Sequence, residues 1–181
     1  MPGEIDVSDC TRCETLCVSR SRIVNGTGPT DAELLFVGEA PGRKEDEGGE
    51  PFVGRSGEVL DSALRDTGFA RSDIRITNGV RCRPPANRAP TAQARENDPN
   101  AVEALGTVPA EHLLGRSVGV REAAGSVRRA RISGTTRRLV VSVHPAATLY
   151  DPSQRETFGT AIAAAVDLVD GGGDQSRLGE F

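Results

Sequence analysis

Four cysteines and a few polar residues at the ends of apolar runs are where this sequence has the means for chemistry. Cys10 and Cys13 form a C-x2-C pair, Cys17 follows four residues on, and Cys82 stands before a run of prolines. Four cysteines could make two disulfides in a secreted protein. The N-terminus, MPGEIDVSDC, lacks the basic start and apolar core of a secretory signal. The expected compartment is therefore the reducing cytoplasm, where C-x2-C points to metal ligation. Glu39, Asn78 and His144 each follow or close a short apolar run. Core packing would favour apolar residues there, so three polar side chains at three strand ends argue for a site. Only 3% of residues are aromatic, which makes Phe52, in a Gly-rich loop, informative. It either plugs the core under that loop or offers a stacking face.

The elements that must carry these groups alternate between strand and helix. ELLFVG, residues 33–38, is a continuous apolar run bounded by turn signals, as expected of a buried parallel strand. A loop spans 39–57, and its acidic run KEDEGGE reads as solvated. Val59, Leu60, Ala63 and Leu64 then recur at helical spacing from Glu58 to Thr67, with Ser56 as the cap. IRITNGV, 74–80, is a second strand, and RCRPPANRAPT is a loop. AVEALG, 101–106, is a short apolar scrap before a helix from about Pro109 to Leu114 that Gly115 stops. Behind a polar, hairpin-like stretch, LVVSV (139–143) is a third strand delivering His144, and a last helix runs from about Gln154 to Val169. Strand, helix, strand in succession predicts an α/β fold with a mainly parallel sheet. The expected organisation is a single domain over 1–170, with a cysteine-bearing segment at 1–30 and a disordered tail at 171–181.

With 181 residues, 36% hydrophobic and 27% charged, the chain excludes collagen-like, coiled-coil and wholly disordered classes. No window approaches the roughly 18 uninterrupted apolar residues of a membrane helix. A net charge of −4 counts against nucleic-acid binding, which is usually basic. Arginines nevertheless crowd two places: Arg81, Arg83 and Arg88 in one loop, and Arg128, Arg129, Arg131, Arg137 and Arg138 in another. Their plainest reading is a solvated surface. Of the two histidines, His112 falls within a helical pattern and reads as structural or surface.

Several long motifs occur together and in order: CTRC near the start, GEAPGRKEDEGGEPFVGRSGEVLDSALRDTG, ITNGVRCRPPANRAPT and VSVHPAATL. They resemble the successive signatures of family 4 uracil-DNA glycosylases, bacterial and archaeal enzymes with an iron–sulfur cluster. The resemblance implies a three-layer α/β/α sandwich around a short, mainly parallel sheet. It implies a monomer that hydrolyses the N-glycosidic bond of uracil in DNA, leaving an abasic site in base-excision repair. A flipped base must be stacked and read at its edge, and the resemblance gives stacking to Phe52 and edge reading to Asn78. The Asn78 amide offers both a donor and an acceptor, matching uracil O4 and N3–H. From the sequence alone, Asn78 before Gly79 would read as a turn former. By the same resemblance His144 hydrogen-bonds the departing uracil, Glu39 and Glu45 lie nearest the sugar and water, and the Gly42 amide approaches uracil or phosphate. HPAATLY would lie against the minor groove with Leu149 filling the gap of the flipped base, and Arg81, Arg83 and Arg88 would face phosphate.

The family binds a [4Fe–4S] cluster through four cysteines, of which Cys10, Cys13 and Cys82 match three. The fourth is absent, and Cys17 or Asp98 are the available substitutes. ENDPNAVEALGTVPAEHLLG joins the end of the proline loop almost directly to a family-like strand end. This predicts the loss of about 20 residues, comprising the helix with the fourth cysteine and much of a central strand. The alternative function is then a truncated, catalytically impaired relative that only binds DNA or a metal cluster.

Overall fold

The computed structural model describes residues 9–11, 13–87, 101–132 and 134–170. Every residue of Leu34–Gly38 (β1) and of Ala101–Leu105 (β3) is buried. Strands of this kind need cover on both faces, as in α/β sheets. They pair in parallel, and Arg75–Asn78 (β2) and Thr135–Ser142 (β5) extend the parallel sheet on either side. Val127–Ile132 (β4) closes it as an antiparallel edge paired to β5, giving the order β2-β1-β3-β5-β4. This is the α/β architecture expected. The polar, hairpin-like stretch is β4 and the start of β5.

Helices cover the sheet. Gln154–Asp170 (α7) buries Phe158, Ala161, Ile162, Ala165 and Val166 and packs on β5, β3 and β1. Arg55–Asp66 (α3) packs on α7 through a face that buries Leu60 and Leu64. Thr107–Leu114 (α4) packs on β3 and β4, and Val120–Ala123 (α5) on β5. The chain leaves β1 for β2 on one side and returns to β3 on the other. The crevice beyond the carboxyl ends of β1 and β3 is therefore the switch point where such sheets place ligands.

Four expectations need correction. The 39–57 stretch is not all loop, because Arg43–Gly48 (α2) is a helix. Its Asp46, expected to be solvated, is 1% exposed, and its carboxylate accepts the backbone N–H groups of Ser21 and Arg22. Ser56 is not a cap, since α3 begins at Arg55 with Gly54 as the preceding residue. The cysteine-bearing segment at 1–30, which its Gly/Pro-containing stretch would make a loop or a small metal-held knot, contains a short helix, Glu14–Ser19 (α1). Most consequentially, AVEAL is no scrap: it is the central strand β3, paired on both sides. Whatever the chain lacks after the proline loop, the sheet's middle is present.

The N-terminal segment is stitched to the loop after β2 by ordinary hydrogen bonds. The N–H of Val24 donates to the Arg81 carbonyl, Thr27 and Ile76 exchange backbone bonds, and the Ser19 hydroxyl donates to the Arg83 carbonyl. Among the described residues no helix is long and apolar enough to cross a membrane.

Candidate active site

The site grows from Gly38, the last residue of β1, which stands in register with Asn78, the last of β2. A Cβ built on Gly38 would lie 2.3 Å from Asn78 Oδ1 and 2.7 Å from the Phe52 ring. Only glycine lets those two side chains converge here. The Phe52 ring in turn stacks on His144, with centroids 5.5 Å apart and 30° between planes. Three groups expected from sequence to share a site do share one, beyond the carboxyl ends of β1, β2 and β5. Asn78 is buried, and its Nδ2 has no hydrogen-bond partner among the described residues. A buried amide donor left unmade costs free energy, which a ligand carbonyl would recover.

Phe52 adopts φ +54°, a left-handed conformation that a bulky residue rarely takes. Its surroundings over-determine that strain. Glu45 Oε1 accepts the Phe52 N–H at 2.5 Å, and Arg71 donates to the carbonyls of Pro51 and Phe52 while pairing with Asp61. A Cβ on Gly57 would lie 1.7 Å from the Phe52 carbonyl oxygen, so the first turn of α3 closes on the loop without a side chain. The ring is also 3% exposed and part of the hydrophobic core, so it fills space under the loop while held in this strained conformation. Nothing in the sequence pattern marked Arg71 or Gly57, because their partners are far along the chain. Arg71→Ala should cost about 1–3 kcal/mol by orphaning two carbonyls, read as a Tm lower by about 2–12 °C in calorimetry.

Glu45 Oε2 accepts the Gly42 N–H at 2.5 Å, so both of its oxygens are committed to backbone donors. The Gly42 amide is committed with it. Glu39 is half-buried just beyond β1, and burial raises its carboxyl above the usual range. His144 accepts the Ala146 N–H on Nδ1 at 3.1 Å. Burial lowers its pKa to about 4, so the ring is neutral near pH 7 and carries its proton on Nε2.

Arg81 and Arg83 lie partly buried beside the site, with Arg81 donating to Asn25 Oδ1. Leu149 is half-buried in Ala147–Tyr150 (α6). Arg88 and Asp98 lie outside the described residues.

The cysteines do not assemble a four-thiolate centre. Cys10, Cys13, Cys17 and Cys82 are all free thiols, and no three Cys, His, Asp or Glu side chains among the described residues form a metal-holding group. The Arg20 guanidinium instead donates to Cys82 Sγ at 2.9 Å and to the Cys10 carbonyl at 2.8 Å. Its pKa is raised chiefly by that bond to Cys82. With no group of three or more metal-ligating side chains among the described residues, and no fourth cysteine in the family's pattern, the side chains present do not make the family's four-cysteine site.

An aromatic ring, a carboxamide and a neutral imidazole thus converge beyond the carboxyl ends of a mainly parallel sheet. The profile of the uracil DNA glycosylase superfamily matches residues 25–166, and the chain belongs to that superfamily. It is 35% identical to the type-4 uracil-DNA glycosylase of Archaeoglobus fulgidus over 169 residues, covering 84% of each chain. It is 35% identical to that of Pyrobaculum aerophilum, over 87% of this chain and 88% of the other. It is 38% identical to that of Thermotoga maritima, over 66% and 69%. In the first of these pairings, 84% of this chain is fewer residues than the 169 matched, so the alignment passes positions this chain lacks.

Proposed function

We propose that this chain is a uracil-DNA glycosylase that hydrolyses the N-glycosidic bond of uracil in DNA, leaves an abasic site and acts in base-excision repair. The observation that supports it best is the convergence of Phe52, Asn78 and His144 around Gly38. A uracil rotated out of the helix stacks on Phe52. Asn78 donates from its buried, unpartnered Nδ2 to O4 and accepts from N3–H, a pattern that cytosine reverses.

The C1′–N1 bond breaks with positive charge growing on the sugar and negative charge on uracil. His144 Nε2–H stabilises that anion at O2, a fixed donor in a partly desolvated site. Glu39 takes a proton from the attacking water as its oxygen bonds to C1′, and uracil leaves as the anion. The raised Glu39 pKa makes it a better proton acceptor. Glu45 serves as a positioning residue, because its two oxygens hold Gly42 and Phe52. Arg81 and Arg83 face phosphate, and the chain acts as a monomer. The [4Fe–4S] cluster of the family has no role in this reading.

The test is uracil release from single-stranded and duplex DNA by purified protein, with iron measured on the same sample. Release by iron-free protein is the expected result, and no release from either substrate overturns the reading. Because His144 is neutral down to about pH 4, kcat/KM should show no inflection near pH 6.5, the ordinary imidazole value. A pH–rate profile from 5 to 9 checks this.

A further inference from the structure

Tyr150 is the chain's only tyrosine, in a sequence with no tryptophan. It is 89% exposed, one of three exposed large hydrophobic side chains among the described residues, with Val18 at 89% and Val127 at 48%. Of the other two, Val18 lies on the cysteine-bearing α1 and Val127 begins the edge strand β4. Tyr150 ends α6, the one-turn helix that springs directly from His144. Ala147 N–H donates to the His144 carbonyl, and Asp151 N–H to that of Ala147. By helical rise Tyr150 stands on the order of 10 Å from His144.

The platform beneath it is fixed. The Asp151 carboxylate accepts the Ser153 hydroxyl at 2.6 Å and backbone N–H at 3.1 Å, accepts Gln154 Nε2, and lies 3.9 Å from Arg121. These bonds, the Ser153 hydroxyl foremost, hold Asp151 below the usual carboxylate range and turn its charge toward its own turn. An exposed ring on a rigid turn beside a base pocket has no structural reason to be out in water. Leu149, its neighbour, is half-buried.

We propose that Tyr150, rather than Leu149, enters the base stack of duplex DNA and occupies the gap left by the rotated uracil. The proposal rests on the glycosylase reading above. A tyrosine supplies a flat face that stacks on any neighbouring base pair, and its hydroxyl end reaches the wet groove. Single-stranded DNA has no stack to fill, so the ring matters there far less.

The composition makes the test direct, because ultraviolet-excited emission of this protein comes from Tyr150 alone. Titration with a duplex carrying one tetrahydrofuran abasic site should quench that emission about twofold or more as the ring stacks. Anisotropy of labelled DNA confirms binding in the same sample. Emission that stays constant while the DNA binds overturns the proposal. In parallel, Tyr150→Ala should lower kcat/KM on duplex uracil by about 10- to 100-fold and on single-stranded uracil by less than about threefold, while Tyr150→Trp retains duplex activity. An equal loss on both substrates, or a duplex-specific loss in Leu149→Ala but not in Tyr150→Ala, also overturns it. Absence of uracil release by the unmutated chain on both substrates is a failure of the glycosylase reading instead, and the fluorescence titration still reports on the ring.

Discussion

Asn78→Leu should abolish most uracil release while making the protein more stable. The two effects have one cause. Asn78 Nδ2 is buried with no partner among the described residues, so in the free protein the carboxamide is a cost rather than a fastening. A leucine of similar volume removes that cost, for an expected gain of about 1 kcal/mol, or about 2–4 °C in Tm. The same change removes the donor and acceptor that read uracil, for an expected loss in kcat/KM of about 100- to 1000-fold. Free uracil should raise the Tm of the unmutated protein and leave the variant's unchanged, because only the former binds it. If Asn78→Leu lowers both activity and Tm, Asn78 is a turn former and the site has been misread. Opposite signs for stability and activity are what a binding residue shows and a structural one does not.

Residues that announce themselves locally were legible before any coordinates. Apolar runs marked β1, β2 and the end of β5, and the polar groups after them marked the crevice, because an apolar strand interrupted at its carboxyl end has few structural explanations. For Phe52 and Asn78 the residues alone left a core plug and a turn former open, and only the motif resemblance implied stacking and edge reading. What stayed hidden depends on partners distant in sequence. Arg71 grips a loop about 20 residues away, and Asp46 grips backbone about 25 residues before it. Glu45 was marked for chemistry, yet its neighbours turn both its oxygens toward backbone. A solvated acidic loop and a buried helix with the same charges look alike until the segment they touch is in place. The central strand was missed for a different reason: a carboxylate in the middle of AVEAL breaks the apolar run that identifies a strand.

That carboxylate carries the largest stability effect expected of any single change. Glu103 is wholly buried between Phe36 of β1 and Val140 of β5, and neither of its oxygens has a hydrogen-bond partner among the described residues. Burial pushes its pKa up to about 8, and the neighbouring Ser142 hydroxyl counters that push only in part. Near pH 7 the folded chain therefore holds Glu103 protonated, while the unfolded chain, with an ordinary value of 4.5, has lost that proton. Folding takes up a proton across this window, so the contribution of Glu103 to stability falls as pH rises from about 4.5 to about 8. The full difference corresponds to about 5 kcal/mol, an upper figure that relaxation around the group reduces. Glu103→Leu keeps a side chain of similar length in an apolar layer and should add about 2–4 kcal/mol at pH 8, a Tm higher by about 4–16 °C. At pH 5 most of that gain should vanish, because the penalty it removes accumulates only as pH climbs from about 4.5 toward about 8. Calorimetry of both proteins at the two pH values decides the matter. A gain of equal size at both would mean that Glu103 titrates normally, and a loss of stability would mean that the carboxylate holds a partner the sheet needs.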